Sequence, residues 1–250
     1  MSEQSRHFPQ FYLTAPSPCP YLPDRVERKV FTHLAGSTAV PLNNALSLAG
    51  FRRSQNITYR PACQDCTACV SVRVLAGEFI AGRSFRRILR RNADLETREV
   101  EAVATTEQYE VFCDYIDQRH RSGGMADMTS FDYVQMIEES QVDSRIVEYR
   151  RKIPGPPQDR DGGQLLAAVL IDRLPDGLSM IYSFFRPQEL ARSLGTFMIL
   201  DVLARARAMG RAHVYLGYWV KGSDKMDYKT RFLPQEQLLG QNWRRIDPAR

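Results

Sequence analysis

Hydrophobic and polar positions switch between two periods along this chain, and each switch marks an element. Leu42, Ala45, Leu46 and Ala49 recur at helical spacing and Gly50 follows as a stop, which predicts a helix within 41–53. NITYRP (56–61) alternates as a strand does and ends at Pro61, and the β-branched VSVRVLAGEF (70–79) is a second strand. VERKVFTHL (26–34) is compatible with a strand, after an irregular Pro-containing arm over 1–20. RSFRRILRRNA (83–93) is a helix with Phe85, Ile88 and Leu89 as its apolar stripe, and LETREVEAVA (95–104) is a strand. A helix over 105–120 starts with a capping box of Thr105 and Gln108 and turns Tyr109, Phe112, Cys113 and Ile116 inward.

The second half continues in the same way. A loop is expected over 121–128, a helix over 129–140 capped by Thr129 or Ser130, and a strand over 144–152. Pro and Gly crowd 152–163, so that segment reads as a loop. QLLAAVLIDRL (164–174) is a buried strand that turns at Pro175-Asp176-Gly177 and returns as LSMIYSFFRP (178–187). A long helix over 190–210 ends at Gly210 and leads to the strand AHVYLGYWV (212–220). Antiparallel strands joined to one crossover helix and a parallel strand make a mixed α/β layer architecture.

Composition adds bounds. With 250 residues, 43% hydrophobic and 25% charged, the chain is globular and large enough for one big domain or two small ones. The N-terminal MSEQSRHFPQ is polar, and the longest apolar run, LLAAVLI at 165–171, is far short of a membrane span. Neither membrane nor export is expected, and the expected compartment is the cytosol with reduced thiols. Lys plus Arg is 34 against 29 Asp plus Glu, a net +5 that permits a polyanionic partner.

Where the charge sits changes the picture more than its sum. Arg83, Arg86, Arg87, Arg90 and Arg91 lie within nine residues with no acid among them. On a helix Arg86, Arg87, Arg90 and Arg91 share one side, a cluster suited to phosphates, unless it is simply a solvated face. Lys221, Lys225, Lys229 and Arg231 are interleaved with aromatics in YLGYWVKGSDKMDYKTRFLP (215–234), a pattern suited to an unstacked nucleotide end or to an exposed basic loop.

Two further motifs carry chemistry. Cys63-x2-Cys66-x2-Cys69 supplies three thiols that Cys19 would complete, as ligands for zinc or an iron–sulfur cluster, or else as small buried residues. Ser193-Leu194-Gly195-Thr196 opens the long helix, whose free N–H groups and dipole suit an anion or an acyl oxygen. Arg192–Phe197 is similar to the acyl-CoA turn R/Q-x-x-G-x-G/A of GNAT acetyltransferases, but places Phe197 where a small residue belongs, which would crowd a pyrophosphate.

CPYLPDRVERKVFTHL (19–34), GFRRSQNITYRPACQDCTACVSVRV (50–74), RSFRRILRRNADL (83–95), SLGTFMILDVLARA (193–206) and 215–234 together resemble the arginyl-tRNA–protein transferase family, in its bacterial leucyl-tRNA-using branch. The resemblance spans nearly the whole chain. It implies a cytosolic enzyme that moves leucine from leucyl-tRNA onto proteins beginning with Asp or Glu, creating an N-end rule degradation signal, with no role for DNA or membranes. It implies a smaller N-terminal domain (1–94), for which a GNAT relationship is one alternative, and a GNAT-like transferase domain (95–250). Eukaryotic relatives use arginyl-tRNA and bind an iron–sulfur cluster through cysteines, so Cys19, Cys63, Cys66 and Cys69 are the implied ligands here, although transfer itself requires no cofactor.

On this reading Arg86, Arg87, Arg90, Arg91, Lys221, Lys225 and Lys229 hold tRNA, and Ser193, Gly195 and Thr196 receive the acyl or adenosine end. Arg52, Arg53 or Arg119 meets the acidic side chain, and Tyr218 or Asp227 serves as a base. The alternatives are arginine transfer to the same N-termini, a CoA-dependent GNAT acetyltransferase, which Phe197 disfavours, and a non-catalytic metal-bound RNA module.

Overall fold

The structure, a computed structural model, describes residues 9–119, 127–153 and 162–248. The elements are β1 (Tyr12–Leu13), β2 (Ser17–Pro18), β3 (Val26–Glu27), β4 (Lys29–His33), α1 (Ala39–Leu48), β5 (Arg52–Ser54), β6 (Ile57–Pro61), β7 (Cys69–Leu75), α2 (Arg83–Arg91), β8 (Leu95–Glu101), α3 (Thr106–Arg119), α4 (Ser130–Glu138), β9 (Ser144–Arg151), β10 (Leu165–Leu174), β11 (Gly177–Phe185), α5 (Leu194–Ala208), β12 (His213–Val220), β13 (Gln235–Leu239) and β14 (Asn242–Ile246). The segments 121–126 and 154–161 of the two expected loops lie outside the described residues, as do residues 1–8 of the arm.

An eight-stranded mixed sheet, in the order β14-β13-β7-β12-β11-β10-β9-β8, organises the molecule. Every neighbouring pair is antiparallel except β11 and β12, which α5 joins as a crossover. β10 is its spine: every residue except Arg173 is buried, as expected of a strand covered on both faces. Leu166, Val169 and Ile171 pack with Met198 and Val202 of α5, whereas Leu165, Ala168 and Leu170 pack with Phe112 of α3 and Tyr133 of α4. Reciprocal bonds between Thr105 and Gln108 start α3, and the same arrangement of Thr129 with Asp132 starts α4.

A second sheet, β1-β4-β6-β5, carries α1 and docks on the first. Successive residues of a strand face opposite ways, so β5 sends Arg52 and Arg53 in different directions. The Arg53 guanidinium meets both carboxylate oxygens of Asp172 on β10, at 2.6 and 2.7 Å, with both side chains 1% exposed. The division expected at residue 94/95 runs through the large sheet, because β7 is hydrogen bonded to both β12 and β13.

Two elements differ from expectation. The long helix begins only at Leu194, because Ser193 adopts a left-handed conformation (φ 57°) that separates α5 from a 3-10 turn over Pro187–Arg192. The tail forms the β13–β14 hairpin, which its mostly polar sequence did not announce.

Candidate functional site

The parallel pair closes at one end and parts at the other. β11 and β12 are in register only over Gly177–Ser179 and His213–Tyr215. Beyond that point β12 bulges between Tyr215 and Gly217, and Gly217 takes φ 72°. Separated strands leave carbonyls without ladder partners, and buried carbonyls require donors. Arg52 enters the gap and donates to Ile181 O of β11 and, at 3.4 Å, to Leu216 O of β12. A side chain at position 217 would occupy the place of the Arg52 guanidinium, so glycine is required there by both space and conformation. Lys229, from a 3-10 turn over Asp224–Arg231, donates to Tyr218 O at 2.5 Å.

The carboxyl end of β11 and the amino end of α5 border this gap, the position at which open α/β sheets receive ligands. No side chain caps α5, and its first return bond is Phe197 N to Ser193 O, so the N–H groups of Leu194, Gly195 and Thr196 face the opening without helical partners. Gly195 lies against the Phe185 ring, which Tyr115 of α3 meets edge-on at 5.0 Å. The Arg119 guanidinium stands over the same ring at 5.6 Å. Phe197 does not crowd the turn: it is 7% exposed and packs on Tyr149 in the core, so the steric objection drawn from its position does not hold.

Tyrosines line the remainder. Tyr228 is 42% exposed, yet burial raises its phenol pKa, with Arg52, Tyr115 and Tyr21 as charged or ionisable neighbours, the signature of a cleft wall. Tyr21 is likewise raised by burial and by Tyr59, beside Arg52. Leu22 lies next to Gly222, so the 19–24 turn sits over the end of β12. Sequence reasoning missed Tyr21, Tyr59, Tyr115 and Tyr228 as cleft residues; three of them lie within motifs it had singled out, but only the topology brings them together.

α2 borders the same opening. Its Phe85 stacks on Phe232 at 5.0 Å, and Arg231 stands over the Phe85 ring at 5.4 Å, tying α2 to the 224–231 turn. Its last turn grips the residues before α5: Arg91 donates to Ala191 O and Asn92 to Arg192 O, while Arg192 pairs with Asp94 at 2.8 Å. Arg83, Arg86, Arg87 and Arg90 are exposed, and none has a carboxylate within ion-pair distance among the described residues. Lys221 and Lys225 are exposed on the neighbouring turn.

Several expected roles do not survive these placements. Lys229 is 5% exposed and cannot serve as a surface phosphate contact. Its pKa lies well below the ordinary lysine value because of burial and the Arg52 charge. Arg53 is consumed by Asp172 and is closed to any substrate carboxylate. The Tyr218 hydroxyl lies at 2.9 Å from Gly50 O and 3.1 Å from Tyr59 O, and burial pushes its phenol far up, so it does not act as a base. Asp227 is exposed and accepts from Trp219 Nε1 at 3.1 Å, outside the gap.

The four thiols are neighbours. Cys69 is pushed up to about 11 by burial and by Cys63, Cys19 and Cys66. A closed zinc site draws four ligands to about 2.3 Å from one centre. Among the described residues no group of three or more His, Cys, Asp or Glu side chains is disposed to hold a metal ion, so the thiols suit a soft metal in kind but do not fit one in position.

A mixed α/β sheet with a parted parallel pair, an uncapped helix start and a flanking arginine helix is the architecture of an α/β protein with strand ends suited to an anionic or acyl ligand. Family models for the arginine-tRNA-protein transferase N terminus and C terminus match residues 17–87 and 107–239, and the chain belongs to the arginine-tRNA-protein transferase family. It is 60% identical over 247 residues to an aspartate/glutamate leucyltransferase of Bradyrhizobium sp. (strain BTAi1), covering 99% of this chain and 96% of that one. It is also 60% identical over 249 residues to the protein of that name from Rhodopseudomonas palustris (strain HaA2), covering 100% and 97%. Among solved structures, L-PGS from Bacillus licheniformis aligns with TM-score 0.42 and 13% identity over 75% of this chain, which spans about half (52%) of that one. No helix among the described residues is long and apolar enough to cross a membrane.

Proposed function

We propose that this protein is an aminoacyltransferase that moves leucine from leucyl-tRNA to the α-amine of proteins beginning with Asp or Glu, in the cytoplasm, and so marks them for degradation. The observation that carries the reading is the parted β11–β12 pair beside the uncapped start of α5, in a chain alike along its whole length to proteins named aspartate/glutamate leucyltransferase. A GNAT-like use of this gap, with the acyl group laid between the strands, accords with the same geometry.

In this reading α2, through Arg86, Arg87 and Arg90, grips the acceptor stem, with Lys221 and Lys225 extending the basic surface. Arg91 is partly committed to Ala191 O and contributes less. The terminal ester lies at Ser193, Gly195 and Thr196, where the free N–H groups stabilise the oxyanion. The acceptor nitrogen attacks the ester carbonyl carbon, the C–N bond forms, the bond to the ribose 3′ oxygen breaks, and that oxygen leaves with the proton lost by the amine. An α-amine of pKa about 7.7–8.0 is partly neutral near pH 7, and the ester is activated, so positioning supplies most of the acceleration without a metal. Arg52 and Arg119 are the cations open to the acidic side chain. The thiols of Cys19, Cys63, Cys66 and Cys69 are assigned to holding the 19–24 turn on the 62–69 loop.

The test is transfer of radiolabelled leucine from leucyl-tRNA to a peptide starting with Asp, run beside arginyl-tRNA and acetyl-CoA. Leucine incorporation is expected. Arginine incorporation alone would overturn the donor assignment, and acetylation alone would overturn tRNA dependence.

A further inference from the structure

Two cations meet at the floor of the gap, and among the described residues neither has an acid. Arg52 bonds only to carbonyls, those of Ile181 and Leu216, and Lys229 only to that of Tyr218. Among the described residues no carboxylate lies within ion-pair distance of either. The charge of Arg52 is felt at Lys229, so the two are close. The groups around them are Arg52 from β5, Tyr218 from β12, Tyr228 on the lysine's own turn, and Tyr21 and Tyr115 across the cleft; Asp227 is turned to Trp219. Desolvated cations are costly without a counter-charge, so two that lie together without an acid favour an anion beside them. Arg53, one residue away, shows the contrast: it is buried to the same depth as a structural cation should be, with its own carboxylate.

We propose that Arg52 and Lys229 form a carboxylate subsite, and that Lys229 is thereby a further specificity-determining residue that selects the acidic side chain of the acceptor. The inference rests on the transfer reading above for the identity of the acceptor. The Asp or Glu carboxylate seats against Arg52, with Lys229 as the second cation. Burial and Arg52 hold the lysine's proton affinity below that of an ordinary lysine, and the arriving carboxylate restores it. The sign follows: a carboxylate stabilises the charged lysine and raises its pKa, so acceptor affinity falls as pH climbs past the lysine's value in the empty protein.

The experiment titrates the full-length protein calorimetrically with two peptides, one starting with Asp and one with Asn, and measures leucine transfer to both. In the unaltered protein Asp is expected to be preferred by about tenfold or more, because a site built for a charged group is left unpaired by the amide. K229M is expected to bring the two peptides within about threefold of each other. K229R, whose guanidinium stays charged throughout the working pH range, is expected to retain the preference and to remove its pH dependence. The KM for leucyl-tRNA is expected to stay unchanged in K229M. Its thermal midpoint is expected to hold or rise, since a well-packed apolar residue often replaces a buried charge without loss. An unchanged Asp preference in K229M would overturn the subsite. So would a raised KM for leucyl-tRNA with the preference intact, which would make the anion an RNA phosphate. If no leucine reaches either peptide, the transfer reading fails while the calorimetric ratio still decides the subsite.

Discussion

The two ends of β12 are built from similar residues and balanced in opposite ways. At the closed end Arg73 pairs with Glu236 at 2.7 Å and Asp176 at 3.4 Å, and donates to Tyr215 at 2.8 Å beneath the Trp243 ring. His213 stands between the same two carboxylates, at 3.0 and 3.5 Å. There the parallel strands are so close that a side chain at Gly177 would strike His213 O. At the open end Arg52 and Lys229 have carbonyls alone. A polar network satisfied on every side fastens strands; cations satisfied only by carbonyls keep charge unspent, and such groups mark functional sites more often than structural ones.

That contrast breaks first where the fastening is removed. Arg73→Met leaves two carboxylates facing each other without their guanidinium and is expected to cost about 3 kcal/mol, the low end for an ion pair because Glu236 and Asp176 are partly exposed. Chemical denaturation measures this, and leucine transfer by the protein that remains folded is expected to change less than about twofold, since the gap lies at the other end. Gly217→Ala reverses the pattern. It forces Arg52 out of the gap and is expected to lower kcat/KM on the order of 100-fold, about 2.7 kcal/mol. Its stability is expected to fall by about 2 kcal/mol, from the left-handed φ and from the Ile181 and Leu216 carbonyls that lose their donor. Equal losses of stability and transfer in both variants would erase the distinction between the ends.

A smaller effect separates the gap from its rim. Arg86, Arg87 and Arg90 changed together to Gln are expected to raise the KM for leucyl-tRNA several-fold. They are also expected to flatten its dependence on log salt by about 2–3, since each phosphate contact contributes about 0.7–0.9. The Asp-over-Asn preference is expected to be untouched. An unchanged salt slope would mean that α2 faces another partner.

Much of this architecture is legible in the chain, for local reasons. The capping box at Thr105 and Gln108 and the Pro175-Gly177 turn are set by neighbours in sequence and lie where the pattern puts them, and the stripe of α2 holds at Phe85 and Ile88 while Leu89 is exposed. The extent of α5 is not, because Ser193 in a left-handed conformation looks like any helix start. The site divides along the same line. The arginines of α2 read correctly as exposed, since Phe85 and Ile88 take the side that faces the core and leave the charges in water. Lys229 read as one more surface cation because burial is a property of the fold: only the parting of β11 and β12 takes a lysine from a basic segment and makes it a donor to Tyr218 O. Arg52 and Arg53 are adjacent and alike, and strand alternation alone sends one to the gap and the other to Asp172.

The thiol group gives the smallest expected effect and the sharpest limit on the comparison. Cys69 ends β7 opposite Val220, so it stands next to the open end, and its charge is felt at Tyr218 and Tyr21. Were the thiols to carry a metal needed for transfer, the open end would owe its activity to that centre and not to unspent cations. A thiol raised to about 11 is protonated at neutral pH in the metal-free protein and is no nucleophile there, and a metal would bind it only by displacing that proton. Cys63→Ser keeps a donor for Arg28 O, which Cys63 Sγ meets at 3.7 Å, and removes one of the four thiols. It is expected to change kcat/KM by less than about twofold and stability by less than about 1 kcal/mol, the range of a lost weak hydrogen bond. Exhaustive dialysis against a chelator is expected to leave the unaltered protein equally active. Loss of transfer on chelation, restored by zinc or iron, would move the origin of activity from the cations of the gap to the thiols beside it.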